Sequence, residues 1–246
     1  MSLIDIKTIG FCGCSITEGE GLKNKETERY SSLVGYKLNV NTVNYSMPGI
    51  GNNDILLQAL QSVLENDLTI VEWSSPGRQT FYHSADCSSY SKNLNCKHPD
   101  ITPSNYKIFS ETYVLLDGEF HQYRYISEYV KLLNSISKKL NKKVLYINGI
   151  VFIDPIFLND SEDINYYDLN PITKDILNTD RLPDEDILKN LTVIREYLKV
   201  VDKNWINSTI SLKDMRIDFT ADREHSGPIT HTVYADMVTQ FLLNTL

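Results

Sequence analysis

Apolar residues fall into two alternating patterns along the chain. Short runs rich in β-branched and aromatic residues occupy 7–12, 42–46, 68–73 and 143–150, and such runs predict strands. Between and after them, apolar positions recur every three or four residues, which predicts helices over 29–38, 52–64, 123–140, 185–200 and 230–243. The second of these carries Ile55, Leu56, Ala59, Leu60, Val63 and Leu64 on one face, with Asn52 or Asn53 as its expected N-cap. A fifth strand is expected within 205–212. Two polar stretches, 77–118 and 154–183, interrupt the pattern and read as insertions, the first a lid over the site edge.

Strand, helix, strand, helix, strand within the first 80 residues predicts a parallel sheet with helices on its faces. In such a sheet the site lies beyond the carboxyl ends of the strands. Ser15, Gly49 and Ser74 each follow a predicted strand at that edge. No repeat or linker divides the 246 residues, so a single domain spanning 1–246 is expected.

Charge and cysteine content narrow the function. The net charge is −8 and no basic block exceeds a few residues, which disfavours nucleic acid as a partner. No run approaches the roughly 20 apolar residues that span a bilayer, so no membrane association is expected. The first residues carry neither a basic leader nor a long apolar run, and Cys12, Cys14, Cys87 and Cys96 are expected as free thiols in a cytoplasmic protein. His83, Cys87, Cys96 and His98 lie within sixteen residues, but their spacing is not that of a standard zinc knuckle, so neither metal nor cofactor is expected.

The run Gly13-Cys14-Ser15-Ile16-Thr17-Glu18-Gly19 places one hydroxyl at the tip of a strand-to-helix turn. Serine is a weak nucleophile without a base, and Asp222-Arg223-Glu224-His225 near the far end supplies an imidazole with a carboxylate three residues before it. Each has a plainer reading: a turn serine bonding its own backbone, and an aspartate capping the last helix. His231 reads as structural, and Asp218 and Asp236 as reserve partners of His225. Arg78, after the third strand, is a candidate clamp for a substrate carboxylate or phosphate, against the alternative of a surface ion pair. Asn52 is a further candidate for substrate binding.

These blocks resemble those of the SGNH/GDSL hydrolases. Residues 13–19 are similar to their Gly-Asp-Ser block, 44–49 to the block that supplies a glycine, and Asp222-x-x-His225 with Ser226-Gly227 to their last block. The resemblance implies a three-layer α/β/α, flavodoxin-like domain with five parallel strands and long insertions after the third and fourth. It implies Ser15 as nucleophile, His225 as general base and Asp222 as its orienting acid. The backbone N–H groups of Ser15 and Gly49 become oxyanion donors. The chain departs from the pattern twice: Cys14 stands where the family has Asp, and Trp73-Ser74-Ser75-Pro76-Gly77-Arg78 lacks the third block's Asn. Ser74, Ser75 or Arg78 is then the candidate third donor. The expected function is a serine esterase acting on a small or carbohydrate-borne ester such as an O-acetyl group. The alternatives are an acyltransferase using the same triad and a non-catalytic binding module.

Overall fold

A computed structural model describes residues 3–75, 78–82, 89–93, 119–149, 192–193, 196–197, 199–201, 203–207 and 211–246. The strands are β1 (Thr8–Cys12), β2 (Asn41–Asn44), β3 (Leu68–Trp73), β4 (Arg78–Tyr82), β5 (Ser89–Asn93) and β6 (Lys143–Asn148). The helices are α1 (Ser15–Glu18), α2 (Lys25–Glu28), α3 (Tyr30–Leu38), α4 (Asn52–Glu65), α5 (Glu119–Lys139) and α6 (Pro228–Thr245). β1, β2, β3 and β6 form one parallel sheet in the order β2-β1-β3-β6.

The sheet is parallel because each strand returns through a helix, and it is apolar because helices cover both faces. On one face, Ile55, Ala59 and Val63 of α4 and Ile126, Val130 and Leu133 of α5 pack on Val71, Trp73, Val144 and Tyr146. On the other, Tyr30 and Val34 of α3 and Tyr234, Val238 and Leu242 of α6 pack on Phe11, Ile70, Leu145 and Ile147. The result is three layers, α/β/α.

The four predicted strands and the helices at 29–38, 52–64, 123–140 and 230–243 are all present, with ends shifted by a few residues. Gly51, rather than Asn52 or Asn53, caps α4. The predicted fifth strand is represented among the described residues by a parallel bridge from Trp205 to Tyr146 on the free edge of β6. It is closed by hydrogen bonds from Tyr146 N to Asn204 O and from Ile206 N to Tyr146 O, both 2.9 Å. The first insertion holds regular structure that its composition did not announce. β4 and β5 pair antiparallel, because five backbone pairs satisfy each other whatever their side chains. The candidate zinc residues His83, Cys87, Cys96 and His98, the remainder of that insertion, the whole of 154–183 and most of the helix expected at 185–200 lie outside the described residues.

A buried imidazole joins the two ends of the chain. His231 in α6 accepts a hydrogen bond at Nδ1 from the backbone N–H of Tyr30, 3.2 Å away, and stacks on the Tyr30 ring at 6.0 Å. Asp218 and Asp236, the reserve partners of His225, are engaged elsewhere. Asp218 accepts from the Ile229 and Thr230 amides at the start of α6, and Asp236 pairs with Lys37.

Burial pushes the His231 imidazole down to about 4 from its ordinary 6.5, and the nitrogen accepting from Tyr30 must stay unprotonated. Between those values the unfolded chain binds a proton that the native state refuses. This contribution to stability is therefore complete above the unfolded value and is lost as pH falls through the folded one, by about 3 kcal/mol in all. A His231→Asn variant is expected to show a flatter change in urea midpoint than wild type across this window. Parallel pH profiles for the two proteins would refute the assignment.

Candidate active site

β1 ends at Cys12, and two residues later the chain turns into α1, whose first residue is Ser15. α1 lasts one turn because Gly19 takes a left-handed conformation at φ 79°, where its amide and that of Glu20 close on Ser15 O. Ser15 is half-buried, and among the described residues its hydroxyl makes no hydrogen bond. The side chains around it are anchored to the turn backbone. Gln58 Oε1 accepts from Gly13 N at 3.1 Å, and Asn44 Nδ2 donates to Thr17 O at 2.8 Å.

The loop after β2 leans on the same turn, with Met47 N donating to Gly13 O. In that loop Gly49 has φ 77°, a conformation that strains any side chain, and a Cβ there would meet nothing within 4 Å. Its backbone thus lies beside open space. The exit of β3 is tied down by Asn52, whose Oδ1 accepts from Ser74 N at 2.9 Å and whose Nδ2 donates to Ser75 O at 3.1 Å. The oxygen and the nitrogen of the Asn52 side-chain amide thus both bond to backbone and shape this turn. Among the described residues, the Ser74 hydroxyl and Arg78 Nη1 are buried and have no hydrogen-bond partner.

The segment 218–227 wraps around Asp222. Its Oδ1 accepts from Thr220 Oγ1 (2.6 Å), Glu224 N (2.8 Å) and His225 N (3.1 Å), and its Oδ2 meets His225 Nδ1 at 2.8 Å. The Thr220 hydroxyl, followed by the Glu224 amide and the His225 ring, holds the Asp222 carboxyl well below the usual carboxylate range. Arg223 takes φ 62° to complete the loop.

This segment meets the one that follows Ser15. A Cβ on Gly21 would lie 2.6 Å from Thr220 Oγ1 and 2.9 Å from Asp222 Oδ2. His225 Nε2 lies 3.1 Å from Glu20 Oε2. The imidazole is therefore held between two carboxylates, Asp222 on Nδ1 and Glu20 on Nε2. Nε2 thus faces Glu20, and among the described residues it makes no hydrogen bond to the Ser15 hydroxyl.

The exits of β1 and β3 flank the point where the strand order reverses, since β1 leads outward to β2 while β3 leads the other way to β6. The crystal structure of TesA matches 97% of this chain with 99% of its own, at 12% identity and a TM-score of 0.51. The chain has the SGNH/GDSL hydrolase fold. A protein of the G-D-S-L family from Desulfitobacterium hafniense matches 96% of the chain with 99% of its own, at 9% identity and a TM-score of 0.46. The psychrotrophic esterase EstA from Pseudoalteromonas matches 97% of each chain at 13% identity and 0.48. No protein-family profile matches the sequence, and no curated protein is significantly similar to it.

Within this SGNH fold, sequence reasoning missed Glu20, Gln58 and Glu72. Glu20 and Gln58 look like surface residues of a polar loop and a helix. Glu72 did carry a signal, as the only charge in the strand Leu-Thr-Ile-Val-Glu-Trp. Among the described residues no group of three His, Cys, Asp or Glu side chains is placed to hold a metal, and no helix is long and apolar enough to cross a membrane.

Removing the Asn52 side chain leaves the Ser74 N–H without its acceptor and the Ser75 C=O with only the Arg78 N–H. Asn52→Ala is expected to lower stability by about 1–3 kcal/mol in urea denaturation. An unchanged midpoint would show that the turn after β3 holds without it.

Proposed function

We propose that the chain is a serine esterase that forms an acyl-enzyme on Ser15. The observation that carries this reading is the Asp222–His225 pair, oriented through Nδ1 and packed against the segment that begins at Ser15. In the catalytic state His225 Nε2 leaves its proton with Glu20 or water, turns to the Ser15 hydroxyl and takes the hydroxyl proton as Oγ attacks the ester carbonyl. Asp222 keeps Nδ1 protonated and steadies the imidazolium. The tetrahedral oxyanion is met by the backbone N–H groups of Ser15 and Gly49, and collapse expels the alcohol with the proton from His225. Water then repeats the sequence to release the acid.

The missing third donor is supplied by the Ser74 hydroxyl. Its amide is engaged by Asn52, while its hydroxyl, buried beside the Cys14 thiol, makes no hydrogen bond among the described residues, and such a donor gains most from a ligand oxygen. Arg78 Nη1, buried at the start of β4 and unpaired among the described residues, favours a substrate with an anionic or strongly polar group beyond the ester. A small or sugar-borne ester, an O-acetyl group foremost, fits these polar surroundings better than a long acyl chain.

Hydrolysis of p-nitrophenyl acetate tests this reading. Ser15→Ala and His225→Ala are each expected to lower kcat by at least about 10³-fold, and Ser15→Ala to abolish labelling by a fluorophosphonate. Glu20→Gln is expected to keep wild-type kcat or exceed it, since Glu20 competes for Nε2. A wild type whose turnover Ser15→Ala leaves intact would sink the serine mechanism, and turnover only in the presence of an acceptor alcohol would make the chain an acyltransferase.

Arg78→Ala is expected to raise KM about tenfold for a carboxylate-bearing acetate ester while leaving a neutral ester unchanged. Equal effects on both esters would remove the clamp.

A further inference from the structure

Glu72 has no place in the mechanism above, yet it is fully buried in the sheet. It follows Leu68 and Ile70 on one face of β3, where an apolar side chain would be expected. An ionised carboxylate persists in such a place only if donors surround it. Four do. Cys14 N and Thr17 N each donate to Oε2 at 3.2 Å, Thr17 Oγ1 donates to it at 2.7 Å, and the Cys14 thiol donates to Oε1 at 3.3 Å.

These donors belong to the residue before Ser15 and the residue two after it, so one carboxylate grips the turn on both sides of the serine. The volume it occupies is kept clear at two strand exits. A Cβ on Gly13 would lie 2.5 Å from Glu72 Oε2, and one on Gly149 would lie 2.0 Å from Oε1. The grip is extended by Tyr30, whose hydroxyl lies 2.7 Å from Thr17 Oγ1. Because that oxygen gives its proton to Glu72, it accepts from Tyr30. Tyr30 in turn is fixed by its stacking on His231. Burial holds the Glu72 carboxyl above its ordinary value, with the donors from Thr17 and Cys14 opposing that rise in part. The same burial, with the charge of Glu72, pushes the Cys14 thiol up to about 12, so Cys14 serves as a donor and not as a second nucleophile.

We infer that Glu72 is a positioning residue: from within the sheet, its carboxylate locks the Cys14–Thr17 turn in the form that presents Ser15 to the ester. The inference rests on the reading of Ser15 as nucleophile. Fixing a reacting atom to well under an ångström is worth orders of magnitude in rate, whereas a turn that merely folds can wander further.

The test combines kinetics on p-nitrophenyl acetate with amide hydrogen exchange, using Glu72→Gln, Thr17→Val and Thr17→Ser. Glu72→Gln keeps the size and loses the four-donor acceptor. It is expected to lower kcat by about 10²-fold with KM little changed, and to slow fluorophosphonate labelling of Ser15 in proportion. Exchange at the Cys14 and Thr17 amides is expected to quicken about tenfold or more while that of α4 stays put. Thr17→Val, which removes one donor, is expected to lower kcat by about tenfold, and Thr17→Ser, which restores it, to return kcat to near wild type. Should Glu72→Gln fail to fold, the Val and Ser variants decide. Unchanged kcat and exchange in Glu72→Gln, or equal kcat in the Val and Ser variants, would overturn the inference. A wild type indifferent to Ser15→Ala would instead overturn the serine reading, and with it any catalytic purpose for the grip.

Discussion

A carboxylate inside a sheet must be satisfied by whatever lies within reach, and that requirement ties the first turn of this chain to its third strand. Glu72 reaches from β3 to the backbone of Cys14 and Thr17, across the neighbouring exit of β1. Its needs explain several features at once. They account for the glycines at 13 and 149, the threonine at 17, and an inward-facing thiol where the resembling family carries an acid. Each of these choices is costly alone, because a buried charge without its donors, or donors without the charge, would open the turn.

A second network begins where the first ends. Tyr30 touches Thr17 through its hydroxyl and His231 through its ring and backbone, so the turn after β1 is braced on the last helix. α6 in turn is started by Asp218, which belongs to the segment that carries Asp222 and His225. The two candidate halves of the site are thus attached to one another twice, once through the layer of α3 and α6 and once directly between residues 20–21 and 220–225. Buried polar contacts of this kind favour one arrangement over near alternatives, since a shifted helix would strand every partner at once. Glu20 on Nε2 and Asp222 on Nδ1 hold the imidazole between acids on both sides.

Most of the architecture was legible in the sequence because it depends on periodicity. β3, buried on both faces, reads as an unbroken β-prone run, and α4 repeats apolar residues at helical spacing, so their limits differ from expectation by a residue at most. The β4–β5 hairpin was not legible, because its strands lack an apolar alternation and are defined by backbone pairing. The strand expected within 205–212 meets the sheet at Trp205 through one bridge and two backbone hydrogen bonds.

The residue types of the candidate site, Ser15, Gly49, Asp222 and His225, were set out by local motifs, since a tight turn, a left-handed glycine and an i, i+3 acid–imidazole pair each leave a mark on neighbouring positions. What those residues touch was decided only by the fold. That Asn52 shapes the turn after β3, that Glu20 faces His225 and that Glu72 grips the serine turn are contacts of side chains with partners 22, 205 and 58 positions away. Such contacts arise when helices and strands are laid side by side, and a one-dimensional pattern carries information only about neighbours along the chain.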